Sequence, residues 1–119
     1  MGKTNGLKAL EVALLILDEV LDAIEKFPRR DPAGIGHQLA KAADSVAGNI
    51  AEGFGRATPK ERKNRLRLAR GELEEAQAHL KAAGRRRYVP SKRFYRIWNL
   101  TGVLHRMLIQ LMRRDEDED

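Results

Sequence analysis

Apolar residues recur at intervals of three and four in four stretches of the chain, which is the spacing of one face of an α-helix. No stretch shows the strict alternation of a half-buried strand. The first stretch predicts a helix over residues 4–27, and Pro28 and Pro32 end it because proline resists helix continuation. Its predicted inward row is Leu7, Leu10, Leu14, Leu17, Leu21 and Ile24.

The second and third stretches predict two helices separated by a clear boundary. Helix two is predicted from Gly34 to about Phe54, with the inward residues Ile35, Leu39, Ala42 or Ala43, Val46 and Ile50. Helix three begins where Thr58 caps, Pro59 takes the first helical position and Glu61 completes a capping box. Its predicted inward row is Leu66, Ala69, Leu73, Ala76, Leu80 and Ala83, with Gly84 as the C-terminal cap.

The fourth stretch follows a loop over residues 85–90 and predicts a helix capped by Ser91. Its predicted inward row is Phe94, Ile97, Thr101, Leu104, Leu108 and Leu111. Four helices of similar length joined by short loops predict an all-α fold. The expected arrangement is an antiparallel up-down-up-down four-helix bundle over residues 1–114.

Helices one and four each carry a second row of apolar residues. These rows are Ala13, Ile16, Val20 and Phe27 in helix one, and Leu100, Val103 and Met107 in helix four. A large exposed apolar patch is typical of a subunit interface, so the extra rows predict a homo-oligomer.

Helix two carries a polar stripe and ends in a glycine pair. Ser45, Asn49, Glu52 and Arg56 are spaced so that they share one face. We interpret the stripe as a structural network that binds arginines or helix ends of neighbouring helices, with a ligand site as the alternative. Gly53 and Gly55 are predicted to supply the positive φ angles that stop the helix.

Positive charge is concentrated in the second half of this chain of net charge +6. Residues 81–114 contain no acidic residue, and arginines outnumber lysines in the whole chain. Guanidinium groups bind phosphate oxygens in pairs, so this surface predicts a nucleic acid as partner, a plain solvated surface being the alternative. Exposed aromatic residues are scarce, with Tyr88 and Tyr95 as candidates, which predicts contacts to the nucleic-acid backbone and little sequence readout. RNA or an RNA–DNA hybrid is expected as the partner in preference to a specific DNA site.

The candidate nucleic-acid-binding residues form two groups at opposite ends of the predicted bundle. The first group is Arg56, Lys60, Lys63, Arg65, Arg67, Arg70, Arg113 and Arg114. The second group is Lys81, Arg85, Arg86, Arg87, Lys92, Arg93 and Arg96. Residues 115–119 are all acidic and are predicted to form a disordered tail that either shields nearby arginines or aids solubility.

The sequence offers little for catalysis or metal binding. Cysteine is absent, which removes thiol chemistry and suits a reducing cytoplasm. His37, His79 and His105 lie on different predicted helices, and Glu75 and His79 are one residue too far apart for the Glu-x-x-His motif of di-iron bundles. We therefore expect no metal, no cofactor and no catalytic residue. No apolar run is long enough for a membrane span, so a soluble cytoplasmic protein is expected.

Residues 45–56, with the sequence SVAGNIAEGFGR, resemble the S-I-x-x-N-I-A-E-G-x-G-R stretch of small bacterial four helix bundle proteins, also described as 23S rRNA intervening-sequence proteins. Residues 38–43 and 69–75 resemble two further patterns of that family. The resemblance implies a compact antiparallel bundle, often assembled into a ring such as a pentamer. It also implies a relation to a branch that serves reverse transcriptases of diversity-generating retroelements as their accessory variability determinant.

Two functions follow from this reading. The first is a non-enzymatic, oligomeric bundle that binds nucleic acid as an accessory to RNA or to a reverse transcriptase. The second is a structural assembly module whose positive charge docks acidic protein partners. Nucleic-acid binding measured over a range of salt concentrations separates the two.

Overall fold

The computed structural model describes the backbone of residues 2–56 and 58–118, and the side chains of residues 6–56 and 58–115. Within these residues the chain forms α1 (Gly2–Ile24), α2 (Ile35–Phe54), α3 (Pro59–Arg85) and α4 (Ser91–Glu118), and no strand. The all-α fold predicted from the periodicity is confirmed. The molecule measures 48 × 23 × 18 Å.

The four helices pack in a closed circuit, because each contacts the next along the chain and α4 contacts α1. The start of α1 meets the end of α2, where a Cβ on Gly6 would lie 2.5 Å from the Phe54 ring. The start of α3 meets the end of α4 in the same way, where Arg62 contacts Asp115. Contacts between the start of one helix and the end of the next fit the predicted up-down-up-down order.

The inward rows predicted for α2, α3 and α4 form the core. The α3 row from Leu66 to Ala83 is completely buried, and so is the α4 row from Ile97 to Leu111. In α2 the predicted inward residues are buried as well, including both Ala42 and Ala43. Phe94 is only half-buried. The spacing rule succeeded here because each of these rows stands out clearly from the polar residues around it.

The inward row predicted for α1 is only half right, because Leu10, Leu17 and Ile24 are half-buried and pack against the core while its other three leucines face outward. Leu7, Leu14 and Leu21 are 63%, 45% and 43% exposed, whereas the second apolar row supplies the buried face. The buried α1 residues are Ala9, Ala13, Ile16, Val20 and Ala23. Both rows have helical spacing, so the period alone does not distinguish them. The row containing three alanines lets α1 approach its neighbours closely, and close packing decides which row turns inward.

The glycines at the end of α2 do not act as predicted. Gly53 lies inside the helix and is buried, and a Cβ there would lie 3.3 Å from the Cβ of Arg65 on α3. Gly55 is the C-cap residue with a φ of −89°. Neither glycine has a positive φ. Gly53 therefore permits the close approach of α3, and a left-handed residue is not what ends this helix.

Two helix starts rest on side-chain caps. The Thr58 Oγ1 accepts a hydrogen bond from the Glu61 backbone N–H at 3.1 Å, as the capping motif predicts. The Asp31 carboxylate accepts from the Gly36 N–H at 2.9 Å in the first turn of α2, an interaction that the sequence analysis did not anticipate. Ser91 was predicted to cap α4 but is instead its first helical residue, since Phe94 N–H bonds to the Pro90 carbonyl.

The acidic segment was predicted to be disordered from residue 115 onwards. Helix α4 instead continues through Glu118, and Asp115 is buried. The side chains of residues 116–118 and the whole of residue 119 lie outside the described residues. Asp115 is thus part of the bundle because its carboxylate meets a cation of α3, described below.

Candidate nucleic-acid interface

Helix α3 ends in a tight hydrogen-bonded turn made by arginines. The Arg87 N–H donates to the Gly84 carbonyl at 3.0 Å, and the Tyr88 N–H donates to the Ala83 carbonyl at 2.9 Å. This is the pattern of a Schellman motif, whose left-handed position is usually glycine. Here Arg87 occupies it with a φ of 61°. The predicted cap, Gly84, lies within the last helical turn and makes room for the Phe94 ring, since a Cβ at this position would lie 3.0 Å from a ring carbon.

The loop after this turn is anchored to the core. Val89 is buried and packs with Ile35 and Ala83. The Tyr88 ring contacts the Phe27 ring, with centroids 5.2 Å apart. These contacts hold the backbone of the loop in place, so the arginines before it are presented from a defined platform.

Five exposed cations surround this turn, and we call them the α3–α4 basic cluster. The cluster consists of Lys81, Arg85, Arg86, Arg87 and Lys92. Among the described residues none of the five forms an ion pair, and Lys81 lies over the Trp98 ring at 5.1 Å from its centroid. Their positive charge is therefore presented outward.

The other two members of the second predicted group differ from this cluster. Arg93 lies 3.8 Å from Asp22, and the Arg96 Nε lies 3.5 Å from a carboxylate oxygen of Glu19. Both carboxylates belong to α1. The spacing of residues along the chain did not indicate these pairs. Part of the charge of Arg93 and Arg96 is compensated within the chain.

At the opposite end of the bundle, the polar stripe of α2 binds α3. Arg65 Nη1 lies 3.0 Å from Glu52 Oε2 and 3.4 Å from Asn49 Oδ1, and Arg56 Nη2 lies 3.3 Å from the same Glu52 oxygen. Asn49 also donates to the Ser45 carbonyl at 3.0 Å. The network joins Asn49 and Glu52 to an arginine of the neighbouring helix, as the structural interpretation of the stripe expected. Arg56 and Arg65 thus have a local carboxylate partner.

The same end contains a buried ion pair that the sequence did not indicate. Arg62 donates through Nε and Nη2 to Asp115 Oδ1, at 2.9 Å and 2.6 Å, and Asp115 is only 4% exposed. The two residues are 53 positions apart, so no local spacing rule connects them. The pair fixes the end of α4 beside the start of α3.

The substitution Asp115→Asn is expected to lower the free energy of unfolding by about 1–2 kcal/mol, since removing one charge leaves the half-buried Arg62 without its full partner. Urea denaturation of the two proteins measures this difference. The substitution Asp18→Asn removes an exposed carboxylate of α1 and serves as the control, with an expected change within about 0.5 kcal/mol. Equal effects of both substitutions would contradict a stabilising role for the Arg62–Asp115 pair.

The remaining predicted cations lie along α3 and at the end of α4. Lys60, Arg67, Arg113 and Arg114 are exposed, whereas Lys63 and Arg70 are half-buried. Arg67 donates to the Asn64 side chain at 3.1 Å, and Lys63 and Arg114 take part in further interactions within the chain. This group sits at the far end of a molecule 48 Å long, well beyond the Debye length of about 8 Å from the α3–α4 basic cluster. The structure therefore keeps the two predicted groups apart.

Two of the three histidines, His79 and His105, lie beside glutamates. His105 Nε2 lies 3.0 Å from Glu74 and His79 Nε2 lies 3.6 Å from Glu75. No set of three or more potential metal ligands clusters in the described part of the chain. Within the same residues, no helix combines the length and apolar character needed to cross a membrane.

The fold defines the class of this protein as a small all-α four-helix bundle with a cationic end. Within that class, the chain belongs to the 23S rRNA-intervening sequence protein family, whose model matches residues 5–110. It is similar to a crystal structure of a protein of unknown function from the S23 ribosomal protein family of Bacteroides thetaiotaomicron. That match has a TM-score of 0.78 and 20% identity, and it covers 94% of this chain and 97% of the other. A comparison with curated proteins finds no match.

Proposed function

We propose that this protein binds structured RNA or an RNA–DNA hybrid through the α3–α4 basic cluster, and that it does so without catalysing a reaction. The observation behind this proposal is that five exposed cations surround one anchored turn and have no carboxylate partner among the described residues. Charges of one sign left uncompensated at one end attract a polyanion. Arginine is well suited to this role because its guanidinium group donates two parallel hydrogen bonds to a phosphate.

The conformation of Arg87 adds support. A non-glycine residue at a φ of 61° costs about 1–2 kcal/mol relative to an ordinary conformation, and glycine would remove this cost. A residue that keeps a strained conformation points to a role of its side chain. Because the Arg87 side chain is exposed and the motif hydrogen bonds use only the backbone, that role lies outside the bundle.

The partner is proposed to be a larger RNA-containing machine. The name of the family connects it with 23S rRNA, and the resemblance found in the sequence connects it with reverse transcriptases of diversity-generating retroelements. The proposed role is that of an accessory, in which the bundle contributes positive charge and the partner contributes any chemistry.

Filter binding with an RNA hairpin, an RNA–DNA hybrid and a DNA duplex, each over a range of salt concentrations, tests the proposal. If all five cations of the cluster contact phosphates, log affinity should fall against log salt with a slope of about −4.5. Affinity that does not change with salt would contradict binding by charge. Undetectable binding to all three probes at low salt would reject the proposed function.

The substitution Arg87→Gly is expected to raise the free energy of unfolding by about 0.5–1 kcal/mol and to weaken RNA binding by about five- to tenfold at low salt. The gain arises because glycine adopts this φ without strain, and the loss arises because one phosphate contact disappears. Thermal denaturation and filter binding measure the two effects.

The substitution Arg86→Gly is the matched control, because Arg86 has an ordinary φ of −80° and carries the same charge. It should weaken binding to a similar extent without stabilising the fold. Stabilisation by both substitutions, or by neither, would show that strain at Arg87 is not the relevant difference.

A second candidate function is a self-associating structural module that docks acidic proteins. The observation that favours self-association is an exposed apolar surface on α1, which we call the leucine face, with Leu7, Leu14 and Leu21 at its centre. Next to it an apolar cleft of about 390 Å³ is lined by Leu10 of α1 and by Ile50 and Phe54 of α2. The face borders the exposed acidic residues Glu11, Asp18 and Asp22, which argues against a nucleic acid on this side.

We propose a second copy of this chain as the occupant of the leucine face. The acidic border of the face is opposite in sign to the exposed cations of another copy, which favours a contact between unlike surfaces. Contacts between unlike surfaces close into a ring when the rotation between subunits permits. A ring such as a pentamer, as the family resemblance implies, is one such assembly, and both proposed functions are compatible with it.

A further inference from the structure

A small cleft lies beside the α3–α4 basic cluster, where the end of α3 faces the start of α4. Its volume is about 220 Å³, and it is smaller than a typical site for a drug-sized ligand, which measures about 300–1,000 Å³. Its lining includes Lys81, Gly84, Arg85, Ser91, Phe94 and Tyr95. We call it the tyrosine cleft. It combines two cations, two hydroxyl groups and two aromatic rings in a space suited to a single flat ring system.

Phe94, which lines the tyrosine cleft, belongs to an aromatic stack with Trp98. The rings of Phe94 and Trp98 lie nearly parallel, with an interplanar angle of 10° and centroids 5.9 Å apart. The Phe94 ring fits against Gly84, where any Cβ would lie 3.0 Å from a ring carbon. These contacts leave the Phe94 ring little freedom, so it supports the neighbouring ring of Tyr95 in a constant position.

Tyr95 is the exposed aromatic residue of this site. It is 59% exposed, which is unusual for a large ring. Its ring meets that of Phe94 at 89° with centroids 5.0 Å apart, so at least one Tyr95 face is not covered by Phe94. Nothing in the core requires this side chain, because the buried face of α4 is formed by the row from Ile97 to Leu111.

The charges around the tyrosine cleft favour an anionic ligand. Lys81 and Arg85 belong to the lining, and residues 81–114 contain no acidic residue. Lys81 is held near the cleft by its position over the Trp98 ring, 5.1 Å from the centroid. The cleft thus offers a ring face for stacking and cations for a phosphate within one small site.

We infer that the tyrosine cleft binds an unpaired nucleotide of RNA, with its base stacked on Tyr95 and its phosphate bound by Lys81 and Arg85. This inference rests on the proposed function and makes it more specific. A base inside a duplex is already stacked on its neighbours and offers no free face, whereas a base in a loop does. Stacking on an aromatic side chain is tolerant of base identity, so the site selects for unpaired structure and only weakly for sequence.

The experiment compares two RNA probes with the same number of nucleotides, a hairpin with a long adenosine loop and a blunt duplex. The full chain is tested as the wild type and as Tyr95→Ala, Tyr95→Phe and Leu68→Ala. Leu68 is an exposed apolar residue of α3 and serves as the matched control. Circular dichroism verifies that each variant keeps its helical content.

We expect Tyr95→Ala to weaken binding of the hairpin by about tenfold and to leave binding of the duplex unchanged. Tyr95→Phe should retain the wild-type affinity, because it keeps the ring and removes only the hydroxyl group. A 2-aminopurine in the loop should lose fluorescence on binding to the wild type and to Tyr95→Phe, since stacking quenches it, but not on binding to Tyr95→Ala. Leu68→Ala should behave as the wild type.

Two results would overturn the inference while leaving the proposed function intact. One is equal hairpin affinity of Tyr95→Ala and wild type, with salt-dependent binding of both probes. The other is an equal loss for hairpin and duplex, which would indicate a structural role of Tyr95. If the wild type binds neither probe at low salt, the proposed function itself fails, and the two failures are thereby distinguished.

Discussion

Replacing Arg85, Arg86 and Arg87 together with glutamine is expected to weaken binding of an RNA hairpin by about 100-fold at about 0.1 M salt. Each of these arginines lies in the α3–α4 basic cluster and has no ion pair among the described residues. Each phosphate contact releases condensed counterions, so losing three contacts should also reduce the slope of log affinity against log salt from about −4.5 to about −2. Filter binding over a salt series measures both quantities.

A variant that loses the same number of charges elsewhere distinguishes the effect of position on RNA binding from the effect of net charge. Arg56, Arg65 and Arg93 replaced together with glutamine also remove three positive charges, but these arginines lie 3.3, 3.0 and 3.8 Å from carboxylates of the same chain. Their replacement should weaken binding by less than about tenfold, because paired charges contribute less to binding a polyanion. Equal losses in the two variants would mean that overall charge governs binding and that the cluster has no special role.

The second large effect is expected from the leucine face. Replacing Leu7, Leu14 and Leu21 with glutamine should weaken self-association by at least about 100-fold, so that the variant is monomeric at micromolar concentration. Each leucine side chain that the partner copy no longer covers should cost about 1 kcal/mol of association free energy. Size-exclusion chromatography with light scattering measures the mass, and circular dichroism checks that the helices remain.

A control for this experiment is available on α3. Leu68 is 53% exposed, which is comparable to the three leucines, but it belongs to a different surface. Leu68→Gln should leave the assembly unchanged. A wild-type protein that is monomeric at micromolar concentration would contradict self-association, and dissociation caused by Leu68→Gln would place the interface elsewhere.

Helical spacing was sufficient to predict the fold class. The rows of α2, α3 and α4 are buried as predicted, and the Thr58 cap forms at the expected boundary. These features depend on residues close together in the sequence, such as a cap and the N–H three positions later. Such local relations can be predicted from a sequence because helix geometry is constant, so a given spacing always places two residues in the same relative position.

The predictions that failed concern the inward face of α1 and the C-terminal cap of α3, where two local patterns in the sequence were equally good. Helix α1 has two apolar rows of the same period, and only the packing against α2 and α4 places Ala13, Ile16 and Val20 inside. At the end of α3, Gly84 was a reasonable candidate for the C-terminal cap. The helix instead continues to Arg85, and the left-handed position is taken by Arg87. The close contact between Gly84 and Phe94 explains this outcome, since a glycine was needed there for packing.

In the candidate site, the sequence likewise shows the local composition, whereas the ion pairs between distant residues appear only in the structure. The excess of Lys and Arg between residues 81 and 114 is visible in the sequence, and it indicates a polyanion as partner. The sequence does not show which cations are compensated. Glu19 and Asp22 of α1 reach Arg96 and Arg93 of α4 only because the first and last helices are neighbours in the bundle.

By itself, the sequence determined the helices, most of their buried faces and the sign of the charge on the second half of the chain, because these properties follow from local spacing and composition. The tertiary structure alone decided that Leu7, Leu14 and Leu21 of α1 face outward, that Asp115 pairs with Arg62 and that Tyr95 borders a cleft lined by two cations. These features join residues far apart in the chain, and their positions depend on how closely each pair of helices can pack.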